Sequence, residues 1–205
     1  MTLQTFLIAS LIGYLFGMLP TAYLLGHAVR GIDIREHGSG NVGASNATIV
    51  LGWRYGVITA VADAFKAFLA MELVAGLFPL QPAVAYVAGI AAILGHIFPL
   101  VLRFRGGKGV AALIGLLFGL DWRVGLLAVL FTAVVTILAN YILFASLTLF
   151  TALPLLTWQM GYVWFCVVLA VLVMGVAYYK HAINIRRLLS GEEVPLRAVM
   201  PRNRG

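Results

Sequence analysis

Charged residues are scarce in this 205-residue chain: Asp, Glu, Lys and Arg make up 10% of it, against roughly 25% in soluble domains. With 62% hydrophobic residues beside them, that scarcity excludes a water-soluble globule, because too little polar surface exists to cover the apolar one. Cysteine is nearly absent. The one thiol, Cys166, rules out an intrachain disulfide or a cysteine metal site, and neither metal nor cofactor is expected. Acidic residues number seven against fourteen basic ones, a net charge of +7. In a soluble protein that imbalance points to nucleic acid. In so apolar a chain it points to the cytosolic side of a membrane, where Lys and Arg accumulate, and no nucleic-acid partner is expected. A basic n-region is missing from the first residues, which are therefore read as a retained span rather than a signal peptide.

What is present is a series of apolar runs near the 20 or so residues needed to cross a bilayer. They predict an all-α, polytopic transmembrane helical bundle of about seven spans. The spans fall near Thr5–Leu25, Tyr55–Phe78, Ala83–Leu102, Val110–Leu120, Val124–Ala139, Ile142–Thr157 and Tyr162–Tyr179. A single long kinked helix across the fifth and sixth is the alternative. All the basic residues but Lys66 and Arg123 sit in loops or a tail that seven spans bring to one face. The positive-inside rule then places the N-terminus outside and the C-terminus in the cytosol. Gly13 and Gly17, and Gly115 and Gly119, are spaced for close helix approach, and Pro20, Pro99 and Pro154 are expected to kink spans or end them. No domain boundary or repeat is visible, so residues 1–205 read as one transmembrane unit.

Three polar segments share the predicted cytosolic face. The first is Gly38-Ser39-Gly40-Asn41-Val42-Gly43-Ala44-Ser45-Asn46. Its glycines let backbone N–H groups converge on an anion, Ser39, Asn41, Ser45 and Asn46 add donors, and the second span would aim its N-terminal dipole at the same place. The second joins Gly95-His96-Ile97-Phe98-Pro99 to Phe104-Arg105-Gly106-Gly107-Lys108-Gly109. It lacks the Ser or Thr of a P-loop but again pairs glycines at a helix start with a lysine. His96, an ionisable group inside a span, is a functional candidate. Arg103 reads as a headgroup anchor, and Arg105 as either anchor or site. The third, from Lys180 to Leu188, puts His181, Asn184 and Arg187 on one helical side, and Gly191-Glu192 ends it. Asp63 and Lys66, three residues apart in the second span, read as an ion pair. Taken singly, the same segments also suit a flexible turn or a basic helix lying on anionic lipid.

Together and in order, GSGNVGASN, GHIFP with FRGGKG, and HAINIRRLLSGEE resemble the bacterial acyl-phosphate-dependent glycerol-3-phosphate acyltransferases. The resemblance runs from Gly38 to Glu192. It implies an integral enzyme of the bacterial plasma (inner) membrane. The implied reaction moves an acyl group from acyl phosphate to the 1-hydroxyl of glycerol 3-phosphate, giving lysophosphatidic acid and phosphate, with membrane lipid as surroundings. It implies catalytic roles for Ser39, His96, Lys108, His181 and Asn184. Phosphate binding falls to Gly38, Gly40, Asn41, Gly43, Ser45, Asn46, Arg105, Gly106, Gly107, Arg187 and Glu192. The His-x4-Asp signature of the soluble acyltransferases is absent, since Ile32, Val42, Val101 and Arg186 stand five residues after the four histidines. Two positions depart from the family pattern. Ile49 replaces a customary arginine, for which Arg54 is the one nearby substitute, and Leu143 replaces a customary serine.

The acceptor alcohol needs a base, for which His96, His181 and the substrate phosphate are the candidates. Ser39 is read as a phosphate ligand rather than a nucleophile. Lys108 is expected to stay charged between pH 6 and 8, and the acyl tail to lie between spans. An anion or phosphate-ester transporter, and a catalytically altered paralogue, are the alternatives. A transporter needs polar groups along a whole path, whereas these cluster at one face.

Overall fold

A computed structural model describes residues 2–199; Arg202 and Arg204 of the basic tail lie outside the described residues. Among the described residues all regular structure is helical. Helix α1 (Leu3–Gly17) and α2 (Thr21–Arg30) form one 28-residue apolar run broken at Leu19-Pro20. Short α3 (Ala44–Leu51) precedes α4 (Trp53–Leu77), and α5 (Pro82–Ile97), α6 (Val110–Leu120), α7 (Trp122–Ala139), α8 (Ile142–Gln159), α9 (Trp164–Leu189) and the four-residue α10 (Leu196–Val199) follow. Asn140, in the left-handed conformation at φ 63°, separates α7 from α8, so the single-helix alternative is excluded. Pro154 sits inside α8 and Pro82 in the first turn of α5, where its missing N–H costs nothing.

Among the described residues, five segments are long and apolar enough to cross a membrane: Leu3–Arg30, Pro82–Leu102, Trp122–Ala139, Ile142–Gln159 and Trp164–Leu189. The 25-residue α4 is long enough but carries Asp63, Lys66 and Glu72. The 11-residue α6 is about 16 Å long at 1.5 Å per residue, half a hydrocarbon core. Leu, Val, Ile and Phe side chains cover much of the outer surface, an arrangement that water penalises and lipid does not.

Helix α5 is the hub, buried along nearly its whole length. Small residues let its neighbours approach it. A Cβ on Gly13 would collide with the backbone of Ala88, one on Gly17 with Ala92, and one on Gly95 with the carbonyl of Tyr14. Gly115 of α6 meets the backbone of Ala64 on α4 in the same way. The glycine pairs expected to mark helix contacts do so, with Gly119 packed on Met71.

Candidate active site

The polar segments meet in a cleft of about 150 Å³ walled by α3 to α9. Asp63, one of its lining residues, stands ten residues into α4, about 15 Å from that helix's start. The cleft is therefore sunk into the bundle. The loop before α6 reaches down to it, which is why α6 is short. At such depth every backbone group needs a partner, and the amides of Gly106 and Gly107 bond to the carbonyls of Ile97 and His96, at 3.2 and 3.1 Å. A Cβ on Gly106 would strike the His96 carbonyl, and one on Gly107 the His96 ring and the Val42 carbonyl. Both glycines thus serve close packing, and their N–H groups are occupied rather than free for phosphate.

Two helix N-termini open onto the cleft. Gly43, Ala44 and Ser45 bring that of α3, and Gly109, Val110 and Ala111 that of α6. Neither helix has a side-chain N-cap, so their first N–H groups present a positive end to an anion. The dipole expected from the second span belongs instead to α3. Gly52, at φ 102°, breaks the chain between α3 and α4.

Lys108 Nζ donates to Asn184 Oδ1 at 2.5 Å, and Asn184 Nδ2 donates to Glu193 Oε1 at 2.7 Å. On the opposite wall, Lys66 Nζ donates to Asp63 Oδ1 at 2.7 Å, to the Leu19 carbonyl at 2.6 Å and to His96 Nδ1 at 3.2 Å. Thr21 Oγ1 also donates to Asp63 Oδ1, at 2.8 Å. Asp63 is 1% exposed and Lys66 5%, and the ion pair read from their spacing is present.

Of the anticipated residues, the fold gathers His96, Lys108, His181, Asn184, Asn41, Gly43 and Ser45 around the cleft. Ser39, Gly38, Gly40 and Asn46 stand outside its lining. Gly38 and Gly40 make a turn at positive φ. Fully buried Asn46 braces it, accepting from the Ser39 amide and donating to the carbonyls of Ile34 and His37. Arg105 lies on a separate recess with Arg103, Arg35 and Asp33. There the Arg35 guanidinium bonds Asp33 and holds its carboxyl below the usual range. Arg187 lies off the cleft lining, and its carbonyl accepts from the amides of Glu192 and Glu193. Exposed Glu192 gives way to its neighbour: Glu193 is the carboxylate at the cleft. Arg54 is exposed, over the ring of Trp53, and stands outside the cleft lining.

Sequence reasoning missed Ser146, buried in the cleft wall and bonded to the Ile142 carbonyl, and Glu193. A serine in an apolar helix start was the available signal for the first. An apolar groove of about 800 Å³ between α4, α6 and α7 adjoins the cleft; Ala60, Ala111, Ile114, Thr132 and Ile142 line both. Leu196 also lines the groove. It is held there by its amide's bond to the Asn140 carbonyl at 2.7 Å.

Residues 7–191 match the family model described as glycerol-3-phosphate acyltransferase. Glycerol-3-phosphate acyltransferase 1 of Oceanobacillus iheyensis is 36% identical over 199 residues, covering 93% of this chain and 95% of the relative. The glycerol-3-phosphate acyltransferase of Geotalea daltonii is 39% identical over 181 residues, covering 88% and 92%. Among solved structures, the glycerol 3-phosphate form of PlsY (YgiH), an integral membrane glycerol 3-phosphate acyltransferase, superposes with a TM-score of 0.85. It shares 31% identity, covering 96% of this chain and 99% of that one. Its lysophosphatidic acid form gives a TM-score of 0.82.

Proposed function

This chain belongs to the glycerol-3-phosphate acyltransferase family, and from that membership we propose that it acylates the 1-hydroxyl of glycerol 3-phosphate with acyl phosphate, releasing lysophosphatidic acid and inorganic phosphate. It is a multi-pass membrane protein and an acyltransferase. The observation that carries the reading is the shared wall between a small polar cleft and a long apolar groove. A reaction that joins a fatty chain to a phosphate-bearing alcohol needs that juxtaposition.

The acyl tail lies in the α4–α6–α7 groove and its carbonyl reaches the cleft past Ala60 and Ile114. Lys108 and the N-termini of α3 and α6 neutralise the phosphates, and Asn41 and Ser45 add donors. The alcohol oxygen attacks the acyl carbon as its proton passes to His181 Nε2, the bond to the phosphate oxygen breaks with its electron pair leaving on phosphate, and that phosphate then takes the proton. His181 Nδ1 bonds the Ala177 carbonyl at 2.8 Å. A carbonyl only accepts, so Nδ1 carries the hydrogen and Nε2 offers a lone pair, suited to receive the hydrogen bond of the attacking hydroxyl. Holding two reactants in register accounts for about 7–11 kcal/mol of barrier reduction in well-oriented systems.

The proposed topology has seven crossings of the bacterial inner membrane, the N-terminus outside and the tail cytosolic, with residues 1–205 acting as one acyltransferase unit. The α6 crossing is completed by the re-entrant Gly106–Gly109 loop. In a Cys166→Ser background, Glu36→Cys should resist an impermeant thiol reagent in intact cells and Asp121→Cys should react; the converse pattern inverts the topology. The reaction is tested with detergent-purified protein, acyl phosphate and radiolabelled glycerol 3-phosphate. Lysophosphatidic acid should form, which a transporter would not produce. Equal turnover with acyl-CoA would overturn the donor assignment.

A further inference from the structure

Lys66 makes three hydrogen bonds, to the Leu19 carbonyl, Asp63 Oδ1 and His96 Nδ1, and an ammonium has three hydrogens and no lone pair. Asp63 Oδ1 accepts from both Thr21 and Lys66, as an ionised carboxylate does, and so keeps the ammonium charged. Nδ1 of His96 must then be the bare nitrogen. The ring hydrogen of the neutral imidazole is on Nε2, at the face of the ring packed on Gly107. Nδ1 is also 3.6 Å from Asp63 Oδ1, beyond a hydrogen bond, so Asp63 does not take that hydrogen in place of Lys66.

We propose that Lys66 is a positioning residue that fixes His96 as a hydrogen-bond donor, and that His96 Nε2–H stabilises negative charge developing on the acyl carbonyl oxygen instead of taking the proton of the alcohol. Placement supports the carbonyl as target. Ala60, just under one helical turn before Asp63, lines both cleft and groove, and Ala64, next to Asp63, lines the groove. His96, bonded through Lys66 to the same stretch of α4, lines the cleft that adjoins this groove. His181, fixed with the opposite tautomer by a carbonyl, stands on the α9 wall with Lys108 and Asn184 nearby. One histidine donates and the other accepts, each held to its role by the hydrogen bond on its far nitrogen. This inference rests on the acyl-transfer reading for its chemistry, but the tautomer stands apart from it.

The test combines ¹⁵N spectra of the histidine rings in detergent-solubilised protein with kinetics. The spectra should show His96, assigned by its loss in His96→Gln, with Nε2 protonated and Nδ1 bare. Nδ1 protonated and Nε2 bare would overturn the proposal, whatever the protein's activity. In kinetics, His96→Gln places an amide donor near the Nε2 position and cannot serve as a base. It should keep kcat within about tenfold of the parent, whereas His96→Leu should lose about a hundredfold, the scale of one oxyanion donor. Equal loss in both variants would mark His96 as the base and overturn the assignment. Lys66→Arg, which also only donates, should retain the tautomer and most of kcat. Lys66→Met should shift the ring hydrogen to Nδ1 and lower kcat about a hundredfold, with the KM for glycerol 3-phosphate within about threefold. An unchanged tautomer in folded Lys66→Met would remove Lys66 from the role. Absence of any lysophosphatidic acid from the parent would defeat the proposed function while leaving the tautomer result intact.

Discussion

The two walls of the cleft hold the same three chemical groups in different wiring. On the α4–α5 wall, Lys66 is bonded directly to both Asp63 and His96, and the ammonium has all its hydrogens engaged. On the loop–α9 wall, Lys108 meets Glu193 only through Asn184 and has one hydrogen bond among the described residues. A saturated lysine is a frame: its charge is cancelled and its geometry fixed. A lysine with an amide between it and its carboxylate keeps two hydrogens free and a charge only partly offset. That is what an incoming phosphate requires.

The comparison depends on the loop that carries Lys108, so the strongest way to break it is to displace that loop. Gly107→Ala would press a methyl group on the His96 ring and the Val42 carbonyl. It should lower kcat/KM about a hundredfold or more, the cost of an ångström-scale misplacement, measured by lysophosphatidic acid formation in membranes containing matched amounts of protein. Removing the open charge comes next. Lys108→Ala forfeits a charge-assisted bond of roughly 1.5–3 kcal/mol and should reduce kcat/KM about 10- to 100-fold.

The bridge through Asn184 follows. An unperturbed lysine stays charged between pH 6 and 8, so the loss in Lys108→Ala should be nearly the same across that range; a loss confined to one end of it would take the charge role from this lysine. Glu193→Gln removes the carboxylate to which Asn184 donates while leaving the bond of Lys108 to Asn184, and should change kcat/KM only a few-fold. The smallest effect belongs to the saturated wall. Thr21→Val deletes one of the two hydrogen bonds to Asp63 and should cost about 1 kcal/mol of stability, seen as a slightly lower melting midpoint, with activity nearly unchanged.

Which segments form the site was legible in the sequence, because glycine clusters, histidines and lysines inside an otherwise apolar chain have few structural reasons to be there. Which atoms are free was not. Asn46 and Lys108 both looked like phosphate ligands, yet one is fully used by Ser39, Ile34 and His37 and the other is open. Glu192 and Glu193 differ by a single step beyond the end of α9, and only the path of the chain after Ser190 selects the second. Gly106 and Gly107 looked like a cradle of amides, but their N–H groups close on the end of α5.

The sequence by itself determined that the chain lives in lipid, that it is helical, and which of its polar segments gather. Hydropathy and charge bias are sums over many residues and survive ignorance of any one contact. The tertiary structure alone decided the depth of the cleft, the groove beside it and the opposite tautomers of His96 and His181. Those depend on single hydrogen bonds between residues such as Lys66 and His96, thirty positions apart, and a hydrogen bond is directional over a few tenths of an ångström in a way that no local composition encodes.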